Sequence, residues 1–340
     1  MTTFNDTPRP EDDLPDDDFP EEEEAFEEDA DDDDGGEGTP EPEHPRCGFI
    51  ALVGAPNAGK STLLNALVGA KVSIVSPKVQ TTRSRVLGIG ITGDSQLLFV
   101  DTPGIFKPKR RLDRAMVAAA WQGATDADLI VMLYDASHDR LDEDTLGIIE
   151  RLKEAGRTAI LALNKVDLIK REKLLKLAAE LDAHGIFTRT FMISALTGDG
   201  LADLSAFLAA EVPEGPWLYP ADQLSDMPER LLAAEVTREK LFLQLHQELP
   251  YAATVETESW EEFDDGSVKI SQVIYVQRDG QKAIVLGKGG SRIKHISTAA
   301  RQELETMMDR RVHLFLFVKV RENWVDDPER YRDWGLDYNA

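Results

Sequence analysis

The sequence predicts an α/β domain with a mainly parallel sheet and a phosphate-binding loop, followed by a smaller α+β domain. Three observations carry this. Between residues 46 and 213, apolar runs of strand length alternate with amphipathic helical patterns, the pattern of a sheet covered on both faces. A long glycine motif separates the first apolar run from the first helical pattern. Beyond a proline-rich break at 213–220 the order changes to helix, two strands, two helices and a strand.

The first domain is expected to place strands at 48–53, 86–92, 96–101, 128–134, 158–163 and 189–193. Helices are expected at 60–69, 112–123, 142–155, 170–184 and 200–211. Ligands of such sheets bind beyond the carboxyl ends of the strands. Four motifs fall at those ends.

Gly54-Ala55-Pro56-Asn57-Ala58-Gly59-Lys60-Ser61-Thr62 follows the apolar run 49–53 and opens a helix, which fits G-x-x-x-x-G-K-[ST] in full. The glycines let backbone N–H groups wrap an anion, and the helix N-terminus adds partial positive charge. Lys60 would reach the β- and γ-phosphates, and the Ser61 hydroxyl would ligate Mg2+. Next, Leu97-Leu98-Phe99-Val100 delivers Asp101-Thr102-Pro103-Gly104 to a turn. Asp101 is placed to hold Mg2+ through water, and Gly104 can bring its N–H to the γ-phosphate with no side chain in the way.

The third motif is Asn164-Lys165-Val166-Asp167, 104 residues after Lys60. Asp167 can accept from guanine N1–H and its exocyclic amine. Adenine offers neither and would leave the carboxylate unpaired, which selects GTP over ATP. Asn164 would tie this loop to the phosphate loop and the base, and the Lys165 stem would cover the ring. Fourth, Ser194-Ala195 follows the last strand, where the Ala195 N–H could contact guanine O6. Between the first two motifs, residues 73–85 lack apolar periodicity and are expected to form a mobile loop. A threonine there that ligates Mg2+ only when the γ-phosphate is present would make it a switch; Thr82 is the choice and Thr81 the alternative.

With Pro56-Asn57 and Gln80-Thr81-Thr82-Arg83, these elements resemble the TRAFAC-class GTPases of the Era and TrmE branch over essentially all of 46–213. That resemblance implies GTP and GDP as ligands, Mg2+ as the metal, and hydrolysis to GDP and phosphate with Lys60, Thr82, Gly104 and Asn57 in catalytic roles. The residue after Asp-x-x-Gly is Ile105, then Phe106, and neither can orient a water by hydrogen bonding. Slow intrinsic hydrolysis follows. Asn57 resembles the asparagine some relatives use to ligate K+, a cation standing in for an arginine finger.

The second domain is expected to run as a helix near 226–247, strands at 250–258 and 268–278, a helix at 291–309 and a strand at 312–320. Gly287-Lys288-Gly289-Gly290 joins two helical patterns, and Arg292 and Lys294 follow. Such a turn lets a nucleic-acid backbone approach closely, with Lys288 and the helix N-termini meeting phosphates. From 269 to 321 there are 11 Lys/Arg against 4 Asp/Glu, a positive patch in an acidic protein. The order resembles a type II KH domain, and a GTPase followed by such a domain is the layout of the Era family. That layout implies binding near the 3′ end of 16S ribosomal RNA, a role in 30S subunit assembly, a monomer, and a cytoplasmic protein with peripheral contact at the inner membrane.

The expected boundaries are a disordered acidic tail at 1–45, the GTPase domain at 46–213, a linker at 214–225, the KH domain at 226–322 and a tail at 323–340. Residues 1–45 hold 21 acids and one arginine, a charge of −20 within a chain total of −25. This stretch buries no core and is read as a solubilising tail, or as an acidic mimic competing for the basic surface. The single cysteine, Cys47, excludes an intrachain disulfide and suits a reducing compartment. No run of 18 apolar residues offers a membrane span, and the N-terminus lacks the pattern of a secretory signal. His246, His295 and His313 have no paired metal-ligand spacing. An alternative of a different class is an RNA-binding module whose GTPase fold is a scaffold.

Overall fold

The computed structural model describes residues 43–340 apart from 79, 80, 109, 139 and 246–248. Nearly all of the acidic tail, Gln80 of the loop and His246 lie outside the described residues.

The strands β1 (Arg46–Gly54), β2 (Val86–Thr92), β3 (Ser95–Asp101), β4 (Leu129–Asp135), β5 (Ala159–Asn164) and β6 (Phe187–Met192) form one sheet in the order β2-β3-β1-β4-β5-β6. Only β2 is antiparallel to its neighbour. The parallel pairings need crossovers, which α1 (Lys60–Val68), α2 (Arg111–Asp126), α3 (Glu143–Glu154) and α4 (Arg171–Asp182) supply, while α5 (Leu201–Glu211) follows the last strand and packs with Ile50 and Leu52 of β1. Helices on both faces explain why β1, β3, β4 and β5 read as continuous apolar runs. Successive residues of β1 feed two cores. Leu52 packs with Leu63, Leu64 and Phe99 on one face, Ala51 and Val53 with Met132 and Ile148 on the other. Burying each such leucine or isoleucine contributes about 1.5–3 kcal/mol. The carboxyl ends of β1, β3, β4 and β5 therefore open on one edge, held from two sides.

The second domain consists of α6 (Glu229–Gln244), β7 (Ala253–Glu262), β8 (Val268–Val276), α7 (Asp279–Leu286), α8 (Ser291–Met308) and β9 (Val312–Val320). β7 and β8 are antiparallel, β8 and β9 parallel, with α7 and α8 as the crossover. Ala233 and Val236 of α6 and Ala300 and Leu304 of α8 pack on Val268 and Ile270 of the sheet.

Three stretches make contacts that apolar periodicity does not reveal. The 214–225 linker is bonded to the sheet. Leu218 and Tyr219 donate backbone N–H to Gln96 Oε1 at 2.9 and 3.1 Å, and Ile89 N donates to Leu224 O at 2.9 Å, which straps it to β2 and β3. Its prolines break helices but leave other backbone donors to pair with the sheet. The tail at 323–340 is packed against the rest of the chain. It holds a helix, α9 (Pro328–Asp333), and buries Trp324, Tyr331 and Leu336, the latter two against Leu112 and Met116 of α2. The 73–85 loop is also anchored. Ser73, Thr82, Arg83 and Ser84 are buried, and Val75 N donates to Glu239 Oε1 of α6 at 2.7 Å. Polar bonds rather than apolar periodicity hold it, so a pattern search passes over it.

Candidate nucleotide site and nucleic-acid interface

The loop from β1 to α1 turns on residues with left-handed backbone. Asn57 has φ 64° and Gly59 φ 101°. A Cβ on Gly59 would lie 2.3 Å from Asn164 Nδ2, so this glycine permits both the turn and the approach of the next motif. Lys60, 6% exposed, donates from Nζ to Gly54 O and Ala55 O, both at 3.1 Å. Burial pulls its ammonium down to about 8, with Asp101 pulling the other way. A buried cation with only carbonyl partners is incomplete without an anion.

The Asp101 carboxylate at the end of β3 is fully buried, and burial pushes it up while three hydroxyls pull it down. Its Oδ2 accepts from Ser61 Oγ at 2.6 Å, Ser73 Oγ at 3.0 Å and Thr82 Oγ1 at 3.2 Å, and Ser61 and Thr82 stand 2.9 Å apart. Asp101 Oδ1 has no hydrogen-bond partner among the described residues. A carboxylate with one oxygen unpaired and the other met by three hydroxyls is a hard-oxygen donor set that fits a small divalent cation such as Mg2+. Ser73 joins this cluster without having been singled out; a serine in an irregular loop gives no signal of its own. Thr81 instead bonds Ser76 and Lys78, which favours Thr82.

Gly104 packs on Pro56, where an added Cβ would meet backbone at 3.0 Å. Ile105 N donates to Gly54 O at 3.1 Å, while its side chain is buried among core residues. Thr102 Oγ1 is spent on Leu52 O at 2.8 Å, and Pro103 is buried beside it.

Asn164 is the pin between motifs. Its Nδ2 donates to Ala58 O at 2.8 Å, and its Oδ1 accepts from Ala195 N at 2.9 Å. The Ala195 amide, expected to face guanine O6, is thus taken by a side-chain acceptor. Ser194 is fully buried and accepts from Gly198 N at 2.9 Å. Val166 N donates to Ile193 O at 3.2 Å, and Asp167 is exposed. Lys165 reaches Asp135 at the end of β4. Burial works to raise Asp135, but the bonds from Lys165 and Ser137 outweigh it and hold the carboxyl below its ordinary value. Asp135 was missed, although an acid closing an apolar strand at this edge is the same signal that marks Asp101.

These ends surround a cleft of about 550 Å³ lined by Asn57, Gly59, Lys60, Ser61, Thr62, Thr82, Gly104, Asp135 and Lys165 among others. In the second domain, Gly287, Gly289 and Gly290 have φ of 73°, 59° and 76°. Lys288 and Lys294 are exposed. Arg292 Nη1 donates to Ile284 O at 2.6 Å and caps the end of α7, which fixes where this cation stands.

Two family models match the chain: a 50S ribosome-binding GTPase model over 49–165 and a KH-domain model over 248–325. The chain is 64% identical to GTPase Era of Rhizobium meliloti (strain 1021), covering 86% of this chain and 93% of that protein. It is 65% identical to GTPase Era of Sinorhizobium medicae (strain WSM419), covering 86% and 94%. Among solved structures it is similar to an alanine variant of Aquifex aeolicus Era bound to GDP and aluminium fluoride, at TM-score 0.80 and 40% identity over 85% of this chain and 99% of that one. It is also similar to Era in complex with MgGDPNP and nucleotides 1506–1542 of 16S ribosomal RNA, at TM-score 0.81 and 40% identity over 86% and 99%.

Proposed function

The chain belongs to the GTPase Era family, and on that premise we propose that it is a GTP-hydrolysing switch that binds the 3′-end region of 16S ribosomal RNA and acts in 30S subunit assembly. The observation that carries this is one loop with two attachments. Thr82 stands in the Ser61–Asp101 cluster, while the neighbouring Val75, Lys78 and Arg83 are bonded to the RNA-type domain. A movement of this loop at the phosphate site would be passed to α6 and the start of β7 in the domain proposed to bind RNA. The intact cluster speaks against a scaffold reading, because a scaffold has no use for a buried lysine held only by carbonyls beside a buried carboxylate with one oxygen unpaired.

In this reading the GTPase domain is 46–213 and the KH domain 226–322, with 323–340 packed between them. Backbone N–H groups of 54–62 and the Lys60 ammonium take the phosphates, and Asp167 and Asn164 select guanine. Ser61 and Thr82 would hold the metal, with Asp101 orienting them. Bound Mg2+ supplies charge neutralisation at the β- and γ-phosphates. Thr82 would ligate the metal only when the γ-phosphate is present, and Gly104 would present its N–H to the same group. Ile105 is buried and cannot orient water, so turnover is slow. Asn57, exposed on a left-handed backbone at the cleft, is the residue for a K+ ion. Lys288, Arg292 and Lys294 meet RNA phosphates beside the glycine turn, with Arg292 held in place by its bond to Ile284 O. The family reading adds a monomer in the cytoplasm with peripheral contact at the inner membrane. Among the described residues no helix is long and apolar enough to cross a bilayer.

The test is a pair of assays on the full chain: GTP turnover, and binding of a 16S 3′-end fragment against a scrambled RNA of the same length. Turnover lost in Lys60→Ala and preference for the 3′-end fragment are expected. Turnover retained in Lys60→Ala, or equal affinity for both RNAs, contradicts the reading.

A further inference from the structure

Arg83 follows Thr82 directly, yet its side chain runs into the second domain. Nη1 donates to Ala253 O at 3.0 Å and Nη2 to Pro250 O at 3.3 Å. The guanidinium carbon lies 5.6, 5.7 and 6.0 Å from the ring centroids of Phe242, Trp324 and Trp334. The residue is 2% exposed. Taking a guanidinium out of water is costly unless its donors are bonded and its faces stacked. A loop that served only as a connection would not require this.

The segment that walls the socket also reaches α2. Trp324, fully buried, donates from Nε1 to Ala252 O at 3.2 Å and meets Trp334 edge to face at 6.3 Å. Tyr331 and Leu336 of the same segment pack on Leu112 and Met116 of α2, and Arg111 stacks over Tyr338 at 4.4 Å. α2 is the helix that follows the Asp101–Gly104 turn. The C-terminal segment thus touches the loop that carries Thr82 and the helix behind the second phosphate motif. Consecutive Cα atoms are about 3.8 Å apart, so Thr82 and Arg83 cannot move independently. Packed sockets of this kind switch between arrangements rather than stretch.

We propose that Arg83 is a positioning residue for Thr82, and that its aromatic socket, closed by residues 324–340, is the element through which nucleotide state reaches the RNA surface. This rests on the GTP-switch reading above. The test uses the full chain with Arg83→Met, which removes the donors and the charge, Arg83→Lys, which keeps the charge, and Trp334→Ala, which opens the half-buried wall.

Three quantities are read: the ratio of 16S 3′-end fragment affinities with a non-hydrolysable GTP analogue and with GDP, the Mg2+ concentration for half-maximal GTP turnover, and GDP affinity. The wild-type ratio is expected to depart from one by about fivefold or more and to fall below about twofold in Arg83→Met and Trp334→Ala. Arg83→Met raises the Mg2+ requirement about tenfold, with Arg83→Lys between, and GDP affinity stays within about twofold in all three. A wild-type ratio that departs from one and persists in both variants overturns this inference alone. A wild-type ratio of one overturns the switch reading and this inference with it. Should Arg83→Met fail to fold, Trp334→Ala decides.

Discussion

Removing the Asn164 side chain separates the two motifs it joins, and the cost can be worked from its two bonds. Asn164 is 2% exposed, and its partners, Ala58 O at 2.8 Å and Ala195 N at 2.9 Å, are backbone groups in buried settings. Asn164→Ala leaves one orphaned acceptor and one orphaned donor. Each costs about 1–3 kcal/mol, so the loss is about 2–6 kcal/mol against a domain stability of about 5–15 kcal/mol. Asn164→Asp keeps the bond from Ala195 N but sets a carboxylate oxygen against Ala58 O, so it loses the donor half and adds repulsion. Urea unfolding measures both, with an unchanged slope showing that stability and not compactness moved. GDP titration of the same proteins should show weakened binding in each. A loss below about 0.5 kcal/mol in Asn164→Ala at unchanged slope would refute the claim that this residue pins the site, because neither partner could then have needed it.

The buried Lys60 makes nucleotide binding pH-dependent. Its folded value of about 8 lies below the ordinary 10.5, so the folded chain loses this proton first and stability rises with pH between those values. Phosphate needs the ammonium, so GDP affinity falls above pH 8 by up to about tenfold per unit, and Lys60→Met flattens both profiles. Gly59→Ala should cost about 1–2 kcal/mol for a side chain at φ 101° and should expel Asn164, whose Nδ2 would be 2.3 Å from the new Cβ; the loss is expected to shrink in an Asn164→Ala background. Gly289→Asp meets no atom within 4 Å and keeps a left-handed backbone that aspartate tolerates, so the melting temperature and GTP affinity hold while RNA affinity drops about tenfold or more.

β1, β3, β4 and β5 were legible because buried parallel strands read as apolar runs with polar residues delivered at their carboxyl ends. β2 begins and ends where the apolar run does. Lys60, Ser61, Asp101 and Asn164 could be placed from motif and strand context together. Legibility failed where polar contacts replace periodicity. Ser73 joins Asp101 through one hydroxyl in a loop without pattern, and Arg83 is fixed by two carbonyls from residues 250 and 253. The C-terminal segment is short, polar and aromatic by turns. Its Trp324, Tyr331 and Leu336 become core only because α2 and the second domain come together around them. Arg292 reads as one cation of a patch, and only the distance to Ile284 O shows how it is held.

The central claim is that nucleotide state controls contact with RNA, and a ligand shifts an equilibrium only by binding its two states unequally. The most direct measurement is the affinity of the full chain for a 16S 3′-end fragment with GDP and with a non-hydrolysable GTP analogue at one salt concentration. The account predicts values that differ by about fivefold or more. Identical affinities would contradict it.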